Sequence, residues 1–205
     1  MNLFVAIAGN IGVGKSTVTQ ALADQLGWKP YYEPVINNPY LDDFYADMKT
    51  WSFHLQVYFL SKRFEAQAEI STAEQSCVQD RSIYEDVEIF ARTLHKQGFM
   101  DKRDYENYSS LFEQMVNHLR TPDVILYLKS DVDTLLRRIN ERGRESEQGI
   151  DPGYMHELNR AYESWAKRAR KKMHVLTIDA SGANSPEMVA ESAVQKMREL
   201  FGLFW

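Results

Sequence analysis

A glycine-rich segment near the start of the chain has the residue types that bind phosphate. Residues 9–17 read Gly-Asn-Ile-Gly-Val-Gly-Lys-Ser-Thr and fit the pattern G-x-x-x-x-G-K-[ST]. The glycines let backbone N–H groups surround phosphate oxygens, the lysine adds a positive charge, and the serine hydroxyl can ligate Mg²⁺. The segment therefore predicts a nucleoside-triphosphate site, with a helix N-terminus facing the phosphates. The residues of this site are Gly9, Asn10, Ile11, Gly12, Val13, Gly14, Lys15, Ser16 and Thr17.

Two carboxylates and an arginine follow later predicted strands. Glu33 ends a short extended segment before Pro34, and Asp80 and Arg81 follow a strand at 77–79. Because the carboxyl ends of parallel strands meet at one edge of a sheet, these side chains should face the phosphate-binding loop. Glu33 could take a proton from an attacking hydroxyl, Asp80 could hold a metal directly or through water, and Arg81 could bind phosphate or the attacking oxygen. The alternatives are an exposed loop glutamate and an ion pair within the loop.

Three arginines form a second cationic group. Arg138 and Arg142 lie four residues apart on one helix face, and Arg144 follows after one glycine. They lead into a densely charged segment, so we expect a lid at about 142–152 whose arginines stabilise the charge on a triphosphate. The alternative is a solvated network of charges with the neighbouring glutamates.

The predicted helix from Trp51 to Ile70 mixes polar and aromatic residues on one face. Gln56, Phe59 and Arg63 share that face by helical spacing. A pocket that stacks a planar ring and hydrogen-bonds its edge requires this mixture. The alternative is an ordinary core face with polar ends that reach solvent.

Strand-like and helical segments alternate along the whole chain. This order predicts an α/β fold, with a parallel sheet covered by helices on both faces, in a single domain over 1–205. The predicted strands are 3–8, 30–33, 77–79, 123–128 and 174–178. The predicted helices are 15–26, 41–72 with an interruption near Thr50, 82–96, 102–119, 131–142, 153–171 and one that starts at 185–187.

Composition narrows the class of partner. The 205 residues include 24 Lys plus Arg and 29 Asp plus Glu, and the net charge of -5 argues against binding to a nucleic-acid polymer. Cys77 is the only cysteine, which excludes an intrachain disulfide and a cysteine-cluster zinc site. No apolar run approaches the roughly 18 residues of a membrane span, and no basic leader precedes the first strand. We therefore expect a cytoplasmic protein with no membrane partner.

Several of these segments together carry a family resemblance. They are residues 9–17, Glu33-Pro-Val35, Trp51-Ser-Phe-His-Leu-Gln56, Asp80-Arg-Ser82, Arg138-x-x-x-Arg142-Gly-Arg144, Glu147-Gln-Gly149 and Tyr162-Glu-Ser-Trp165. Their order and spacing resemble those of the deoxyribonucleoside kinases over nearly the whole chain. The short length and Asn37-Asn38-Pro39 are most similar to the compact bacterial deoxyadenosine/deoxyguanosine kinases.

The resemblance implies a P-loop kinase fold with a five-stranded parallel sheet. It also implies transfer of the γ-phosphate of ATP to a deoxynucleoside 5′-hydroxyl in nucleotide salvage. Glu33 would be the base, Arg81 would hold the 5′-oxygen and phosphate, and Asp80 would assist Ser16 with Mg²⁺. The lid cations would be Arg138, Arg142 and Arg144.

The resemblance assigns further residues to the nucleoside. Tyr45 and Glu147 would contact the sugar 3′-hydroxyl, Gln56 would read the base edge, and Trp51 and Phe90 would pack near the nucleoside. An Arg63–Asp86 pair accompanies use of deoxycytidine and purine deoxynucleosides in this family. A carboxylate accepts a hydrogen bond from an exocyclic amine, which thymine lacks. We expect deoxyadenosine first, with deoxycytidine and deoxyguanosine close behind.

Family members are commonly homodimers, and a heterodimer with a paralogue is a second possibility. The apolar stripe at 105–119 would serve as the interface, although such a stripe is core by default.

Two functional alternatives also remain at the level of sequence. One is a nucleoside-monophosphate kinase, and the other is a P-loop regulator that binds nucleotide without transferring phosphate.

Overall fold

A five-stranded parallel β-sheet forms the centre of the fold. The computed structural model describes residues 2–33, 38–147, 149–182 and 185–202. Its strands are β1 (Phe4–Ala8), β2 (Lys29–Tyr31), β3 (Cys77–Asp80), β4 (Val124–Lys129) and β5 (Val175–Asp179). They are ordered β2-β3-β1-β4-β5, and every pairing between neighbours is parallel. The predicted α/β class and five-stranded parallel sheet are confirmed.

Helices connect the strands. They are α1 (Lys15–Leu26), α2 (Leu41–Ala46), α3 (Met48–Thr72), α4 (Ile83–Glu85), α5 (Arg92–Lys96), α6 (Lys102–Val116), α7 (Val132–Arg142), α8 (Pro152–Ala169) and α9 (Pro186–Phe201). A π-helical segment at Asp86–Ala91 joins α4 to α5, and one 3₁₀ turn lies at Glu145–Glu147.

The central strand shows that helices cover both faces of the sheet. All five residues of β1 are fully buried, and successive side chains of a strand point to opposite faces. Helix α1 packs with α9, whereas α3, α6 and α8 pack around the π-helical segment. The uniformly apolar sequence Phe-Val-Ala-Ile-Ala is typical of a strand that is buried on both sides.

The helices differ from the sequence-based predictions in an interruption and a helix type, and α6 and α8 end at Val116 and Ala169, before the predicted 119 and 171. The interruption predicted near Thr50 lies at Asp47, whose carboxylate accepts hydrogen bonds from the backbone N–H groups of Lys49 and Thr50, each at 3.2 Å. An aspartate at this position caps the following helix, which explains why α3 begins one residue later. The helix predicted at 82–96 contains the π-helical segment, which apolar periodicity does not distinguish from an α-helix.

A few predicted features lie outside the described residues. They are Pro34 and Val35 of the Glu33 motif, Asn37 of the Asn-Asn-Pro motif, and Gln148 of the lid. In the part of the chain that the structure describes, no helix is both long and apolar enough to cross a membrane.

Candidate active site

The strand ends β2, β3 and β1 surround a cavity of about 270 Å³ at one edge of the sheet. The phosphate-binding loop follows β1, Arg81 follows β3, and Glu33 lies just beyond β2. Because these strands are neighbours, residues far apart in sequence converge there. The lining residues are Ile11, Gly12, Gly14, Lys15, Ser16, Thr17, Glu33, Leu41, Phe44, Tyr45, Leu55, Gln56, Phe59, Arg63, Arg81, Asp86, Phe90, Arg142, Arg144 and Glu147.

Close packing against α7 fixes the shape of the phosphate-binding loop. Gly12 has a φ of 81°, and a Cβ there would lie 2.8 Å from the Leu135 carbonyl oxygen. Only glycine fits this close approach. At the other side of the loop, the Asn10 amide donates to the Met155 carbonyl at 3.2 Å and to the Asn159 side chain at 3.0 Å, which ties the loop to α8.

Lys15 lies buried in the loop, where its ammonium can reach a bound phosphate. Its Nζ donates to the Asn10 carbonyl at 3.1 Å. Burial, together with the charge of Arg81, lowers the pKa of Lys15 to about 8. The charge on this lysine is therefore sensitive to mildly alkaline pH until an anion binds beside it.

Ser16 and Asp80 form an oxygen-rich pair at the start of α1. The Ser16 hydroxyl donates to Asp80 Oδ2 at 2.5 Å, and Asp80 Oδ1 is buried without a hydrogen-bond partner. Burial raises the pKa of Asp80, against the effect of nearby Lys15. A hydroxyl beside an unpartnered carboxylate oxygen is a donor set that fits Mg²⁺.

Glu33, Arg63, Arg81 and Asp86 form one buried ionic network. Arg63 Nη2 and Arg81 Nε donate to the same Glu33 oxygen, at 2.6 and 2.9 Å. Arg63 Nε also donates to both oxygens of Asp86, at 2.7 and 2.6 Å. Arg63 therefore joins the predicted base-recognition residue Asp86 to the predicted catalytic residue Glu33, a connection that sequence spacing did not show.

The network sets opposite pKa shifts on its two carboxylates. Burial raises the pKa of Glu33, but Arg81, Arg63 and Lys15 outweigh that effect and hold it well below its usual range. Burial raises the pKa of Asp86 to about 7, even though Arg63 opposes the shift. Glu33 is therefore ionised at neutral pH, as a residue that accepts a proton must be.

A second set of contacts holds Arg81 from behind the cavity. Arg81 Nη1 donates to the Tyr162 hydroxyl at 2.5 Å and lies 3.5 Å from a Glu85 oxygen. Glu85 also forms a capping box with Ser82 at the start of α4. Nothing in the sequence spacing indicated that Tyr162 and Glu85 would contact Arg81.

Aromatic and polar side chains together line part of the cavity. Gln56 is buried and its Oε1 has no hydrogen-bond partner, so this oxygen can accept a hydrogen bond from a ligand. The Arg81 guanidinium lies 4.5 Å from the centre of the Phe90 ring, and that of Arg63 lies 5.2 Å from the centre of Phe59. The mixed helix face predicted from sequence is therefore a cavity wall. Phe44, Leu41 and Leu55 also line the cavity, although sequence analysis did not select them.

The lid arginines divide between two places. Arg142 and Arg144 both donate to the buried Glu147, Arg144 at 2.7 Å, and all three line the cavity. Arg138 instead donates to the carbonyls of Ala180 and Gly182, at 2.9 and 3.2 Å. It lines a neighbouring pocket on the other side of the phosphate-binding loop.

One predicted nucleoside residue lies away from the cavity. Trp51 is not among the lining residues, and its indole packs against Tyr40 and His54, with ring centres 6.0 and 5.3 Å apart. The turn that separates α2 from α3 at Asp47 precedes this residue.

The site combines a phosphate cradle with an enclosed pocket for an organic acceptor. The phosphate-binding loop and the ionised Glu33 line the same cavity as the aromatic side chains and the Gln56 amide. This arrangement defines a P-loop kinase that acts on a small molecule with a planar ring.

Comparison with known proteins identifies the family. A model of the deoxynucleoside kinase family matches residues 5–201. The chain is 49% identical to deoxyadenosine/deoxycytidine kinase of Bacillus subtilis (strain 168) over 166 residues, 80% of this chain and 76% of that protein. It is 39% identical to deoxyadenosine kinase of Dictyostelium discoideum over 91% of this chain and 76% of that protein. The chain belongs to the deoxynucleoside kinase family, and it catalyses the ATP-dependent phosphorylation of deoxynucleosides.

A solved structure agrees with this assignment. Deoxyadenosine kinase from M. mycoides, with the products dCMP and a flexible dCDP bound, superimposes with a TM-score of 0.87. The two proteins are 29% identical, and the match covers 96% of this chain and 100% of the other. The P-loop kinase fold expected from the resemblance is therefore confirmed.

Proposed function

We propose that deoxyadenosine is the preferred acceptor, followed closely by deoxycytidine and deoxyguanosine. The observation that carries this proposal is the unpartnered Gln56 oxygen in a cavity that also contains the Asp86 carboxylate. Both groups accept hydrogen bonds, and an exocyclic amine on the base would supply the donor. Thymine has a carbonyl in place of that amine, so it would offer these acceptors no amine donor. The name of the Bacillus subtilis relative, a deoxyadenosine/deoxycytidine kinase, supports the same set of bases.

The catalytic roles follow from the ionic network. Glu33 would take the proton from the 5′-hydroxyl as the oxygen attacks the γ-phosphorus, and Arg81 would hold that oxygen and the transferred phosphate. The contact of 2.9 Å between them supports a shared location. The depressed pKa keeps Glu33 ionised, so it can accept the proton when bond formation makes the hydroxyl acidic.

The donor side would bind ATP with Mg²⁺. Ser16 and Asp80 would hold the ion, which would neutralise charge on the β- and γ-phosphate oxygens. Lys15, Arg142 and Arg144 would contact the phosphates. The pocket beside Arg138, formed with Ala180, Pro186 and Val189, would accept the adenine ring on the other side of the loop.

The sugar would lie between the two sides. Tyr45 and Glu147 line the same cavity, and their positions support contact with the 3′-hydroxyl. Phe90 would pack against the nucleoside together with Phe59. Trp51 does not line the cavity and packs against Tyr40 and His54, so its place beside the nucleoside stays a prediction from the resemblance.

We further propose a cytoplasmic homodimer that forms through α6, with a heterodimer as the second arrangement. Leu111 on this helix is 44% exposed, and Phe112 and Met115 are partly exposed. Tyr108, from the same predicted stripe, is fully buried and belongs to the core of the chain. Sedimentation of the purified chain, with Leu111→Asp as the interface variant, tests the assembly.

A panel of acceptors tests the substrate proposal. The four deoxynucleosides and their monophosphates are each supplied with ATP and Mg²⁺, and kcat/KM is compared. We expect the order deoxyadenosine, then deoxycytidine and deoxyguanosine, with thymidine last. Preference for thymidine, or phosphorylation of monophosphates alone, would contradict the proposal. The double variant Arg63→Met plus Asp86→Ala should shift the ratio of kcat/KM values towards thymidine.

A further inference from the structure

Two fully buried residues behind the cavity, Glu85 and Tyr162, contact Arg81. The Tyr162 hydroxyl accepts a hydrogen bond from Arg81 Nη1 at 2.5 Å and donates one to Glu85 Oε1 at 2.8 Å. The same Glu85 oxygen lies 3.5 Å from Arg81 Nη1. Neither residue lines the cavity, so neither can touch a substrate there.

The backbone at Arg81 makes such support necessary. Arg81 has a φ of 66°, and among the described residues it is the one non-glycine residue with a positive φ. Side chains disfavour this conformation, and it persists where the surroundings enforce it. The Arg81 N–H donates to the Ile7 carbonyl at 2.9 Å, and Ser82 on its other side is capped by Glu85. The turn that aims Arg81 into the cavity is therefore held at both ends.

Glu85 also contacts the phosphate-binding loop. Its Oε1 accepts a hydrogen bond from the Gly9 N–H at 3.3 Å. One buried carboxylate oxygen thus lies against the first residue of the donor cradle and against the guanidinium on the acceptor side. This side chain therefore links the two parts of the site directly, in addition to the backbone hydrogen bond from Arg81 to Ile7.

Tyr162 is itself held firmly. Its ring stacks on Tyr127, with centres 5.9 Å apart and planes inclined by 8°, and it meets Trp165 edge-on at 6.4 Å. Tyr162 lies on α8, the helix that also carries Asn159, which holds the phosphate-binding loop through Asn10. One helix therefore supports both the donor cradle and the acceptor arginine.

We propose that Glu85 and Tyr162 are positioning residues for phosphoryl transfer. Through their contacts with Arg81 and Gly9 they fix the guanidinium relative to the phosphate-binding loop before substrates bind. The proposal rests on the role of Arg81 in the proposed function. Its consequence is that the loss of either contact lowers the rate of transfer while substrate binding stays nearly unchanged, because reacting groups are sensitive to small displacements.

Two variants test the proposal with little change in packing. Tyr162→Phe keeps the ring and removes the hydroxyl. Glu85→Gln keeps the shape and one oxygen for the capping box, in which glutamine is also accepted, and places an NH₂ group where Oε1 accepts from Gly9 and Tyr162. It thereby removes the charge that faces Arg81. We expect kcat to fall about tenfold to a hundredfold in each variant, with both KM values within about threefold of the parent. Tyr127→Phe, which removes the hydroxyl of the stacked neighbour, is the matched control and should leave kcat unchanged.

A double-variant cycle with Arg81→Lys separates positioning from general loss of structure. If Tyr162 acts through Arg81, Tyr162→Phe should lower kcat little further in a protein that already has Arg81→Lys. An unchanged kcat in both single variants, or an equal loss in the Arg81→Lys background, would overturn the proposal. If Arg81→Lys keeps full activity, the proposed role of Arg81 is wrong. If Arg81→Lys is slow but Tyr162→Phe is fully active, the role of Arg81 stands and the positioning role of Tyr162 is wrong.

Discussion

The acceptor and donor sides of the cavity are built differently. On the acceptor side, the Arg63 and Arg81 side chains are each 3% exposed, and they are bound by carboxylates of the chain itself. On the lid, the Arg142 and Arg144 side chains are 39% and 34% exposed, and they share the one carboxylate of Glu147. The acceptor side is therefore arranged before a ligand arrives, whereas the lid has cationic groups that a polyphosphate can satisfy.

The difference matches the two ligands. A deoxynucleoside is neutral, so the acceptor side has to balance its own charges internally, since an unpaired buried charge is costly. ATP has several negative charges, so the donor side can leave cations partly exposed until it binds. The chain has a net charge of -5, and this overall value does not report the local cluster of positive charges in the cavity.

The largest expected effect is on the acceptor side. Glu33→Gln keeps an oxygen between Arg63 and Arg81 but cannot take up a proton. We expect kcat to fall by about 10²–10⁴, the usual contribution of a general base, with modest changes in KM. Steady-state kinetics with deoxyadenosine and ATP provide the measurement. Glu88→Gln, a partly exposed glutamate bound to Arg168, is the control, and equal rates in the two variants would remove Glu33 from the mechanism.

A smaller loss should follow from changes to the lid. Arg144→Met should lower kcat/KM for ATP by about tenfold to a hundredfold, because one positive charge that stabilises the transferred phosphate is removed. The Kd of deoxynucleoside alone, measured by calorimetry, should stay the same. Arg137→Met, an exposed arginine of α7 that pairs with Glu141, is the matched control. A weakened nucleoside Kd would show that the two sides are not separate.

The pH dependence of the donor side tests the assignment of Lys15. Its pKa of about 8 means that the free enzyme loses this charge in mildly alkaline solution. We expect kcat/KM for ATP to fall about tenfold per pH unit above that value, while kcat holds to higher pH because bound phosphates retain the proton. A flat profile from pH 7 to 9.5 would contradict the assignment.

As pH rises, the contribution of Lys15 to the free energy of unfolding should increase, whereas its contribution to activity should decrease. The folded state gives up this proton at about pH 8 and the unfolded chain near 10.5, so the contribution of Lys15 to stability rises with pH between these values. Chemical unfolding at pH 8 and pH 9.5 can therefore separate alkaline loss of activity from loss of the fold.

The smallest effect is expected at a position that supports the acceptor side from a distance. Asp47 caps α3, the helix that carries Gln56 and Arg63. Asp47→Ala should lower the urea midpoint of unfolding, because two N–H groups at the start of α3 lose their acceptor, and should change kcat less than twofold. Urea unfolding and the deoxyadenosine assay together check this, and a large loss of kcat would mean that the position of α3 depends on its cap.

Much of the site could be predicted because its residues follow strands. The phosphate-binding loop, Glu33 and Arg81 each lie just beyond a strand, Asp80 is the last residue of β3, and parallel strands bring such ends together. The residues that contact them could not be predicted from the sequence. Arg63 and Glu33 come from different elements, and so do Arg81 and Tyr162; their contacts depend on helix packing that no local spacing encodes. Trp51 had the right neighbours in sequence, but a turn at Asp47 precedes it and its ring packs on Tyr40 instead.

The strand order has a consequence for how this catalyst tolerates change. Base, arginine and phosphate cradle follow three adjacent strands, β2, β3 and β1, so the phosphoryl group would travel crosswise to the strands. Neighbouring strands lie about 4.8 Å apart, a distance set by backbone hydrogen bonds. The spacing of the strands thus fixes the distance between the base and the phosphate-binding loop. Insertions in the connecting helices would leave this distance unchanged, whereas an extra strand between β2 and β1 would place donor and acceptor out of reach.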